Sequence, residues 1–372
     1  GGSARWSQQD RDVASWLDQI RGWVGNAVKY SNVSVASVEH VEPPVVVTSA
    51  DLERRLAGPM QALGAQPGLL EQFTGIVERR EWEPGTLPST AAAEAGAKAI
   101  AASGLDSSMF GALVSCSVTR DYIEPSTASI VHDRLGMPTT CVNFDIGSAC
   151  TGFQAGMDVV AAMIEAGQID TGVVVAGEAM HGLYEGFIED AVAMDPADPA
   201  FGQAFAMGLA NLTMGSGSVG MVLARADLVP HGHRLRASVS RADTRHWALS
   251  RGQVRGLEVD ARPLLDEGMA LVVRSWREQM ADGLTGCTPE TIDVWINHQI
   301  SRTHSREIRT SLDFGERVKG FQTFPGFGNI GPASVPFTLS KAVEAGVVTR
   351  GMKVALGFVG SGINCGLVEV DW

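Results

Sequence analysis

The sequence predicts an α/β fold made of two similar halves, and three observations lead to this prediction. Short apolar runs alternate with alanine-rich helical stretches along most of the chain. A short pattern recurs at a fixed offset of 179 residues, from Glu165 to Glu344. Glycine is abundant, with 43 among 372 residues, and this indicates many tight turns and close backbone approaches.

Strand and helix signals follow one another along the chain. Residues 33–38 alternate between apolar and polar side chains, as a half-buried strand does. Thr48 and Asp51 then form the Ser/Thr-x-x-Asp pattern of a helix start. Further on, the predicted buried strands are residues 111–118, 142–146 and 172–176, and the predicted helices are residues 90–103 and Gly152–Glu165. This alternation is typical of an α/β fold.

The internal repeat divides this α/β chain into two related parts. The triplet Glu-Ala-Gly at residues 165–167 recurs at residues 344–346, and further identities follow at the same offset. Each copy is interpreted as a helix, a glycine stop, a short turn and a buried strand, which favours two related halves. The same offset carries Cys150 onto Asn329, and both directly precede a predicted helical stretch.

We therefore predict an N-terminal extension over residues 1–29, an N-terminal half over residues 30–228 and a C-terminal half over residues 229–372. In the extension, apolar residues recur at helical spacing from Val13 to Val28, which predicts an amphipathic helix. The simplest interpretation docks this helix on its own chain. A docking helix for a partner chain is the alternative.

Composition and charge exclude several classes of protein. The formal net charge of −13 argues against nucleic acid as the main partner, because phosphate binding needs clustered Lys and Arg. No apolar run approaches the ~20 residues of a membrane span, and residues 1–10 lack the apolar core of a signal peptide. Five cysteines without a C-x-x-C pair argue against a disulfide or zinc scaffold. We therefore expect a cytoplasmic protein.

Cys150 is the strongest candidate nucleophile, because it lies between a predicted strand and the helix Gly152–Glu165. At such a turn the N–H groups and the dipole of the helix N-terminus predict a lowered thiol pKa. The turn can also aim an N–H group at a developing oxyanion. An inert buried thiol is the competing interpretation, and we keep it for the other four cysteines, Cys116, Cys141, Cys287 and Cys365.

One histidine has a context that suits catalysis. An apolar stretch ends in Asn297-His298-Gln299, and a histidine at the carboxyl end of a strand can face the crevice of an α/β sheet. The remaining histidines are interpreted as structural: His40, His132, His181, His231, His233, His246 and His304. No carboxylate or cysteine lies at ligand spacing from the 231–233 pair, so we expect no metal site.

Two glycine-containing motifs need separate interpretations. Asn329 precedes a predicted helix start with Pro332 near the first position, and taken alone it reads as an ordinary helix cap. Residues 215–220 match the G-x-G-x-x-G pattern but precede an apolar strand and open no helix. A dinucleotide site is therefore rejected.

Taken together, Ser148-Ala149-Cys150, Asn297-His298-Gln299 and Gly328-Asn329, in this order, resemble the thiolase superfamily, in particular the ketoacyl-synthase III branch with its Cys–His–Asn triad. The glycine-rich residues 357–364 resemble the terminal loop of that family. A closer resemblance, carried by residues 117–129 and 328–336, is to OleA-type thiolases, which begin head-to-head hydrocarbon and β-lactone synthesis. The likeness extends from residue 30 to the C-terminus and leaves out residues 1–29.

This resemblance implies the thiolase fold, a five-layered αβαβα arrangement with the site between two similar halves. It implies that Cys150 takes an acyl group from acyl-CoA, with the N–H groups of Cys150 and Ser361 as the oxyanion hole. His298 and Asn329 would donate hydrogen bonds to the enolate of a second acyl-CoA, and Glu124 from the other subunit of an obligate dimer would remove its α-proton. Acyl-CoA enters as substrate, and no cofactor is implied.

Glu124 separates the two enzymatic functions that this resemblance allows. The first is a non-decarboxylative Claisen condensation of two fatty acyl-CoA molecules to a β-keto acid or β-ketoacyl-CoA, in olefin or β-lactone biosynthesis. The alternative is a decarboxylative ketoacyl-synthase III-type priming enzyme or an acyltransferase that uses acyl-CoA and malonyl-ACP, where loss of CO2 makes the carbanion and no carboxylate base is needed. A third possibility is one subunit of a heterodimer with a paralogue, and the extension over residues 1–29 would suit such docking.

Overall fold

The computed structural model of the protein describes residues 27–253 and 255–372. Its strands, in chain order, are β1 (Ala27–Lys29), β2 (Val33–Val41), β3 (Val45–Thr48), β4 (Glu78–Glu81), β5 (Ala112–Ser115), β6 (Val142–Asp145), β7 (Thr171–Glu178), β8 (Gly217–Arg225), β9 (His233–Ala242), β10 (Ser250–Gln253), β11 (Gly256–Val259), β12 (Val294–Asn297), β13 (Lys319–Gly320), β14 (Lys353–Gly360) and β15 (Asn364–Asp371).

The helices are α1 (Ser49–Arg55), α2 (Ala57–Ala62), α3 (Leu69–Thr74), α4 (Pro88–Ser103), α5 (Thr127–Arg134), α6 (Gly152–Glu165), α7 (His181–Ala193), α8 (Phe201–Gly208), α9 (Ala261–Ala281), α10 (Arg302–Ser311), α11 (Phe324–Phe327) and α12 (Ser334–Glu344). Short 3-10 turns lie at Ser107–Met109, Ala149–Thr151, Leu209–Thr213, Thr244–Leu249 and Gly331–Ala333. None of the helices in the described residues is both long enough and apolar enough to span a membrane.

The elements predicted from the sequence are present. The predicted helix start is confirmed, because Thr48 Oγ1 accepts the N–H of Asp51 and the Asp51 carboxylate accepts the N–H of Thr48, each at 3.0 Å. The predicted strands correspond to β2, β5, β6 and β7. The predicted helices correspond to α4 and α6, and α6 has the predicted bounds.

The start of the described chain corrects one prediction. Ala27 and Val28, which the apolar pattern assigned to an amphipathic helix, form β1 and pair antiparallel with β9, Ala27 opposite Val239. Backbone pairing with β9 therefore overrides the local helical spacing at these two positions. The rest of the predicted helix, Val13 to Val24, lies outside the described residues.

Ten strands follow one another across the main sheet in the order β13-β12-β14-β15-β9-β2-β8-β7-β5-β6, and β1 adds to β9. The two halves of this order mirror each other. In one half β6, β5 and β7 are parallel and β8 and β2 are antiparallel additions. In the other half β13, β12 and β14 are parallel and β15 and β9 are antiparallel additions. The halves meet where β2 pairs with β9.

Helices cover and separate these two halves in five layers, as the fold prediction required. Helix α4 packs on β7, β8 and β2 and helix α5 packs on β5 and β6, so both lie on the outer face of the first half. Helix α9 covers β15, β9 and β14 on the outer face of the second half. Helices α6 and α12 form the central layer: Gln154 on α6 donates to Val239 O on β9 at 3.1 Å, and Ser340 on α12 donates to Val38 O on β2 at 3.2 Å.

The 179-residue repeat is visible at the ends of the two central helices. Gly167 after α6 and Gly346 after α12 both adopt φ of +68°. Each donates its N–H to the carbonyl three residues earlier, on Ile164 and Val343, at 3.0 Å. Both glycines lead into equivalent strands, β7 and β14, so the repeat found in the sequence is a repeat of structure.

Candidate active site

Cys150 lies where the sequence predicted it, on the turn between β6 and α6. The turn is tight, because Ala149 adopts a φ of +44°, a conformation that L-residues rarely take. The 3-10 turn Ala149–Thr151 then continues directly into α6. Cys150 is partly exposed, whereas the other four cysteines are buried free thiols, as predicted.

The predicted direction of the Cys150 pKa is wrong. Although the residue is partly exposed, its thiol is surrounded by protein atoms; this burial, followed by the carboxylate of Glu178, raises the pKa of the Cys150 thiol to about 12. The backbone N–H of Cys150 itself lowers this pKa, which is the effect that the turn predicted, but this effect is outweighed. Cys150 is therefore a thiol at neutral pH, and its proton must be removed when it attacks.

His298 directly follows β12 and is held by its neighbours along the chain. Its N–H donates to Gly357 O on β14 at 2.9 Å, and its carbonyl accepts Asn297 Nδ2 at 2.6 Å. Its side chain is 1 % exposed, and Nδ1 has no hydrogen-bond partner among the described residues. Burial, followed by the charge of His304, lowers the pKa of His298 to about 3. The ring is therefore neutral at pH 7 and can accept or donate one hydrogen bond through each nitrogen.

Asn329 is buried on the turn before α12, with its backbone fixed on both sides. Its N–H donates to Thr213 O at 2.8 Å, and its carbonyl accepts the N–H of Gly215 at 3.0 Å. Its carboxamide oxygen accepts the N–H of Gly331 at 3.0 Å. This bond leaves the Nδ2 amino group as the donor end of the side chain, as a hydrogen bond to an enolate oxygen requires.

Strand β14 contacts both Cys150 and His298, near its C-terminal end. A Cβ built on Gly360, the last residue of β14, would lie 3.0 Å from the backbone nitrogen of Cys150, so the two backbones are in contact. Gly357, which accepts the N–H of His298, lies three residues earlier on the same strand. At about 3.3 Å per residue these contact points are roughly 10 Å apart.

The turn that contains Asn329 lies next to the turn that contains Cys150, in the central layer of helices. The 3-10 turn of Cys150, Ala149–Thr151, packs against the 3-10 turn Gly331–Ala333 that follows Asn329. The two halves of the fold thus supply one residue each at equivalent helix starts, as the offset between Cys150 and Asn329 indicated.

Ser361 and Glu124 occupy different environments. Ser361 follows Gly360 beside Cys150, and its hydroxyl donates to Ser250 Oγ at 3.0 Å. The role of its backbone N–H as the second oxyanion donor stays a prediction. Glu124 is exposed and lies in a loop next to Ile123, which is 99 % exposed. Within one chain the glutamate projects to solvent, as a residue that acts in a partner subunit would.

Two buried groups of the site were not found in the sequence. Glu178, at the end of β7, is fully buried, and burial raises its pKa to about 7. His304, on α10, is 4 % exposed, and burial lowers its pKa to about 4. Its protonated form lowers the pKa of His298. Glu178 could not be singled out because it ends an ordinary apolar strand. His304 was interpreted as a hydrogen-bonded structural histidine, although its Nδ1 has no partner in the described part of the chain.

Comparisons with known proteins agree with this geometry. The profile of 3-oxoacyl-(acyl-carrier-protein) synthase III matches residues 144–185, and the profile of its C-terminal part matches residues 284–372. The chain is 38 % identical over 343 residues to the acyl-CoA:acyl-CoA alkyltransferase of Xanthomonas campestris. This match covers 92 % of this chain and 99 % of the relative. This chain belongs to the OleA-type branch of the thiolase superfamily. It is a condensing acyltransferase.

Further relatives support membership of the OleA-type branch. The acyl-CoA:acyl-CoA alkyltransferase of Shewanella oneidensis is 34 % identical over 360 residues, which is 93 % of this chain and 100 % of that protein. The structure of cerulenin-bound Xanthomonas campestris OleA superposes with a TM-score of 0.88 at 37 % identity, over 93 % of this chain and 98 % of that chain. A Cys-to-Ser variant of that OleA, with lauric acid and lauroyl-CoA bound, superposes with a TM-score of 0.85 at 37 % identity, over 92 % of this chain and 100 % of that chain.

Proposed function

We propose that this enzyme joins two fatty acyl-CoA molecules by a non-decarboxylative Claisen condensation that gives a β-ketoacyl-CoA or, after hydrolysis, a β-keto acid. The observation that carries this proposal is the position of Glu124. It is an exposed carboxylate on the loop that follows Cys116, and the carbonyl of Cys116 lies 3.1 Å from a Cβ built on Gly152, two residues after Cys150. A decarboxylative synthase has no use for such a base, because loss of CO2 makes its carbanion.

The first half-reaction transfers an acyl group to Cys150. The thiol sulfur attacks the thioester carbonyl, the C–S bond to CoA breaks, and CoA leaves as a thiol. Because the pKa of the Cys150 thiol is about 12 and that of His298 is about 3, no stable ion pair forms between them. The neutral imidazole instead takes the thiol proton as the new C–S bond forms and passes it to the departing CoA sulfur. The N–H groups of Cys150 and Ser361 hold the tetrahedral oxyanion.

The second half-reaction makes the carbon–carbon bond. Glu124 of the partner subunit removes an α-proton from the second acyl-CoA, and His298 and Asn329 donate hydrogen bonds to the enolate oxygen. The enolate carbon attacks the Cys150 thioester, and the Cys150 sulfur leaves with the bonding electron pair. The proton that Glu124 removed from the α-carbon goes to this sulfur, so that Glu124 and Cys150 both return to their starting states. Both steps proceed without a metal or a redox cofactor.

An obligate dimer follows from the role of Glu124. Exposed apolar side chains lie in the same region, on the loop of Glu124 and on the neighbouring edge strand β6; they are Val118, Tyr122, Ile123 and Val142. Such a patch suits a subunit interface, and a homodimer is the simplest form. A heterodimer with a paralogue would place an unlike loop at each site and is the alternative outcome.

The place of this reaction in metabolism is part of the proposal. A β-keto acid with two long chains is the first intermediate needed for an olefin or a β-lactone, and the acyl-CoA:acyl-CoA alkyltransferases of Xanthomonas and Shewanella support this assignment. The five free thiols suit a reducing compartment such as the cytoplasm.

Product analysis with a single saturated long-chain acyl-CoA tests the proposed function. We expect a β-keto product that contains both acyl chains, formed without any malonyl thioester. Turnover that requires malonyl-ACP or malonyl-CoA would assign the enzyme to decarboxylative priming. Release of free fatty acid alone would assign it to thioester hydrolysis.

A further inference from the structure

Glu178 is a buried carboxylate to which the proposed reaction assigns no role. It is the last residue of β7, where its backbone pairs with Gly217 of β8, and its backbone carbonyl accepts Trp82 Nε1 at 2.9 Å. Its side chain is fully buried. A buried carboxylate is costly unless its oxygens accept hydrogen bonds, so its partners indicate what it does.

The partners of Glu178 are the first residues of the loop that carries Glu124. Oε1 accepts the N–H of Val118 at 2.7 Å, and Oε2 accepts the N–H of Thr119 at 3.0 Å. Oε2 also accepts the hydroxyl of Thr119 at 2.7 Å. That hydroxyl in turn accepts the N–H of Ala179, the residue after Glu178, at 3.1 Å. We call these four hydrogen bonds between Val118–Thr119 and Glu178–Ala179 the clamp.

The rest of this loop is fixed at two further points, and Glu124 lies between them. Asp121 accepts the N–H of Ser89 at the start of α4 at 3.0 Å. Asp145, at the end of β6, accepts the N–H groups of Thr127 and Ala128 at 2.9 and 2.8 Å. The loop therefore has a fixed start and a fixed end, and the start depends on Glu178.

On its other side Glu178 lies near the Asn329 turn and near Cys150. A Cβ built on Gly331, in the turn of Asn329, would lie 3.8 Å from Glu178 Oε1. The carboxylate lies close enough to Cys150 to raise the pKa of its thiol. One side chain thus contacts the loop of the base and the turn of the enolate-binding asparagine, and lies close to the nucleophile.

We propose that Glu178 is a positioning residue for the condensation step, which fixes the start of the Glu124 loop relative to the Asn329 turn and Cys150. This role rests on the proposed function, because it concerns the geometry in which Glu124 works. It predicts that loss of Glu178 impairs the carbon–carbon bond-forming step and spares acyl transfer to Cys150.

Two substitutions of Glu178 separate the effect of its charge from the effect of its length and hydrogen-bond geometry. Three donors converge on the two carboxylate oxygens. Glu178→Gln would replace one of these acceptor oxygens with an amide NH₂ group, a donor that would face another donor and form no hydrogen bond with it. Glu178→Asp keeps the charge but shortens the side chain by one methylene and cannot reach the same donors. Because the carboxylate raises the Cys150 pKa, Glu178→Gln also removes a charge that opposes thiolate formation.

The test measures the two half-reactions separately by rapid quench with one long-chain acyl-CoA. CoA release and the mass of the acyl-enzyme report acylation of Cys150, and β-keto product reports condensation. In both Glu178 variants we expect condensation to fall by about 100-fold, the effect of roughly 1 Å of misplacement at a reacting group. Acylation stays within threefold of wild type in Glu178→Asp and is equal or faster in Glu178→Gln.

Two further sets of variants control for folding. Thr119→Val removes both hydrogen bonds that the Thr119 hydroxyl makes in the clamp, the one it donates to Glu178 and the one it accepts from Ala179, and should lower condensation about fivefold. Thr119→Ser keeps the hydroxyl and should retain the wild-type rate. Glu53 is a matched buried glutamate outside the site, whose oxygens accept the N–H groups of Gly68 and Leu70 at 2.6 and 2.7 Å. Glu53→Gln should lower thermal stability without changing the ratio of condensation to acylation.

The outcomes are distinguishable. Equal losses of acylation and condensation in the Glu178 variants, or no loss of condensation, would overturn the role of Glu178 and leave the proposed function intact. A wild-type enzyme that acylates Cys150 but makes no β-keto product from two acyl-CoA molecules would overturn the proposed function and this role with it.

Discussion

Cys150 and His298 are both uncharged near neutral pH, and this determines how Cys150 would act as the proposed nucleophile. Burial and Glu178 hold the pKa of the Cys150 thiol near 12, and burial holds the pKa of His298 near 3. A resting thiolate–imidazolium pair, as in many cysteine enzymes, would need both shifts in the opposite direction. The thiol proton therefore leaves only as the acyl group arrives.

The pH dependence of Cys150 alkylation tests this. With iodoacetamide we expect the rate to rise about tenfold per pH unit from pH 7 to pH 9, because the thiolate fraction grows tenfold per unit below the pKa. Cys150→Ser supplies the background from the four buried thiols. A rate that levels off below pH 9 would place the pKa at or below that of an ordinary thiol and contradict the raised pKa.

The residue types of the site were predictable, but their electrostatics were not. Cys150, His298 and Asn329 follow buried strands or precede helices, and these contexts are visible in the sequence. The sign of the Cys150 pKa shift depends on burial and on Glu178, which comes from a different strand. No local pattern around Cys150 reports either effect.

At the level of elements, the two central helices end in the same way and each depends on one glycine. Gly167 and Gly346 have equal φ values of +68°, and a Cβ on either would meet nothing within 4 Å. The penalty of replacing them is therefore backbone strain rather than a clash.

Matched glycine substitutions test this equivalence. Gly167→Ala and Gly346→Ala should each lower the free energy of unfolding by about 1 kcal/mol. Gly182, near the start of α7, also has open space for a Cβ and no positive φ, and Gly182→Ala should be neutral or stabilising by up to about 1 kcal/mol. Urea denaturation measures all three. Clearly unequal costs at Gly167 and Gly346 would count against the structural repeat.

Elements with strong periodicity or long apolar runs were predicted, and those set by pairing were not. Strand β2 and helix α6 were predictable because their own residues show the apolar pattern of a strand and of a helix. Strand β1 pairs with residues 237–239 of β9, which β2 leaves unpaired, and β13 is a pairing of two residues, Lys319 and Gly320, with β12. Such short strands follow from long-range contacts, which a local pattern does not contain.

At the scale of the whole molecule, the fold divides the chemistry among three places. The first half supplies Cys150, the second half supplies His298 and Asn329, and an exposed loop supplies Glu124. Within one chain Glu124 faces solvent, and in the proposed function a partner subunit completes the site. The predicted boundaries of the two halves, at residues 30–228 and 229–372, stay a prediction.

Mixed dimers of two inactive variants test the cross-subunit site most directly. Cys150→Ala lacks the nucleophile and Glu124→Ala lacks the base, so each homodimer should form no β-keto product. When equal amounts of the two are co-expressed and purified through separate tags, each mixed dimer contains one complete site, and the purified mixed dimer should recover about half of the wild-type condensation activity per dimer. A mixed dimer as inactive as its parents, or a Glu124→Ala homodimer with wild-type condensation, would contradict the account.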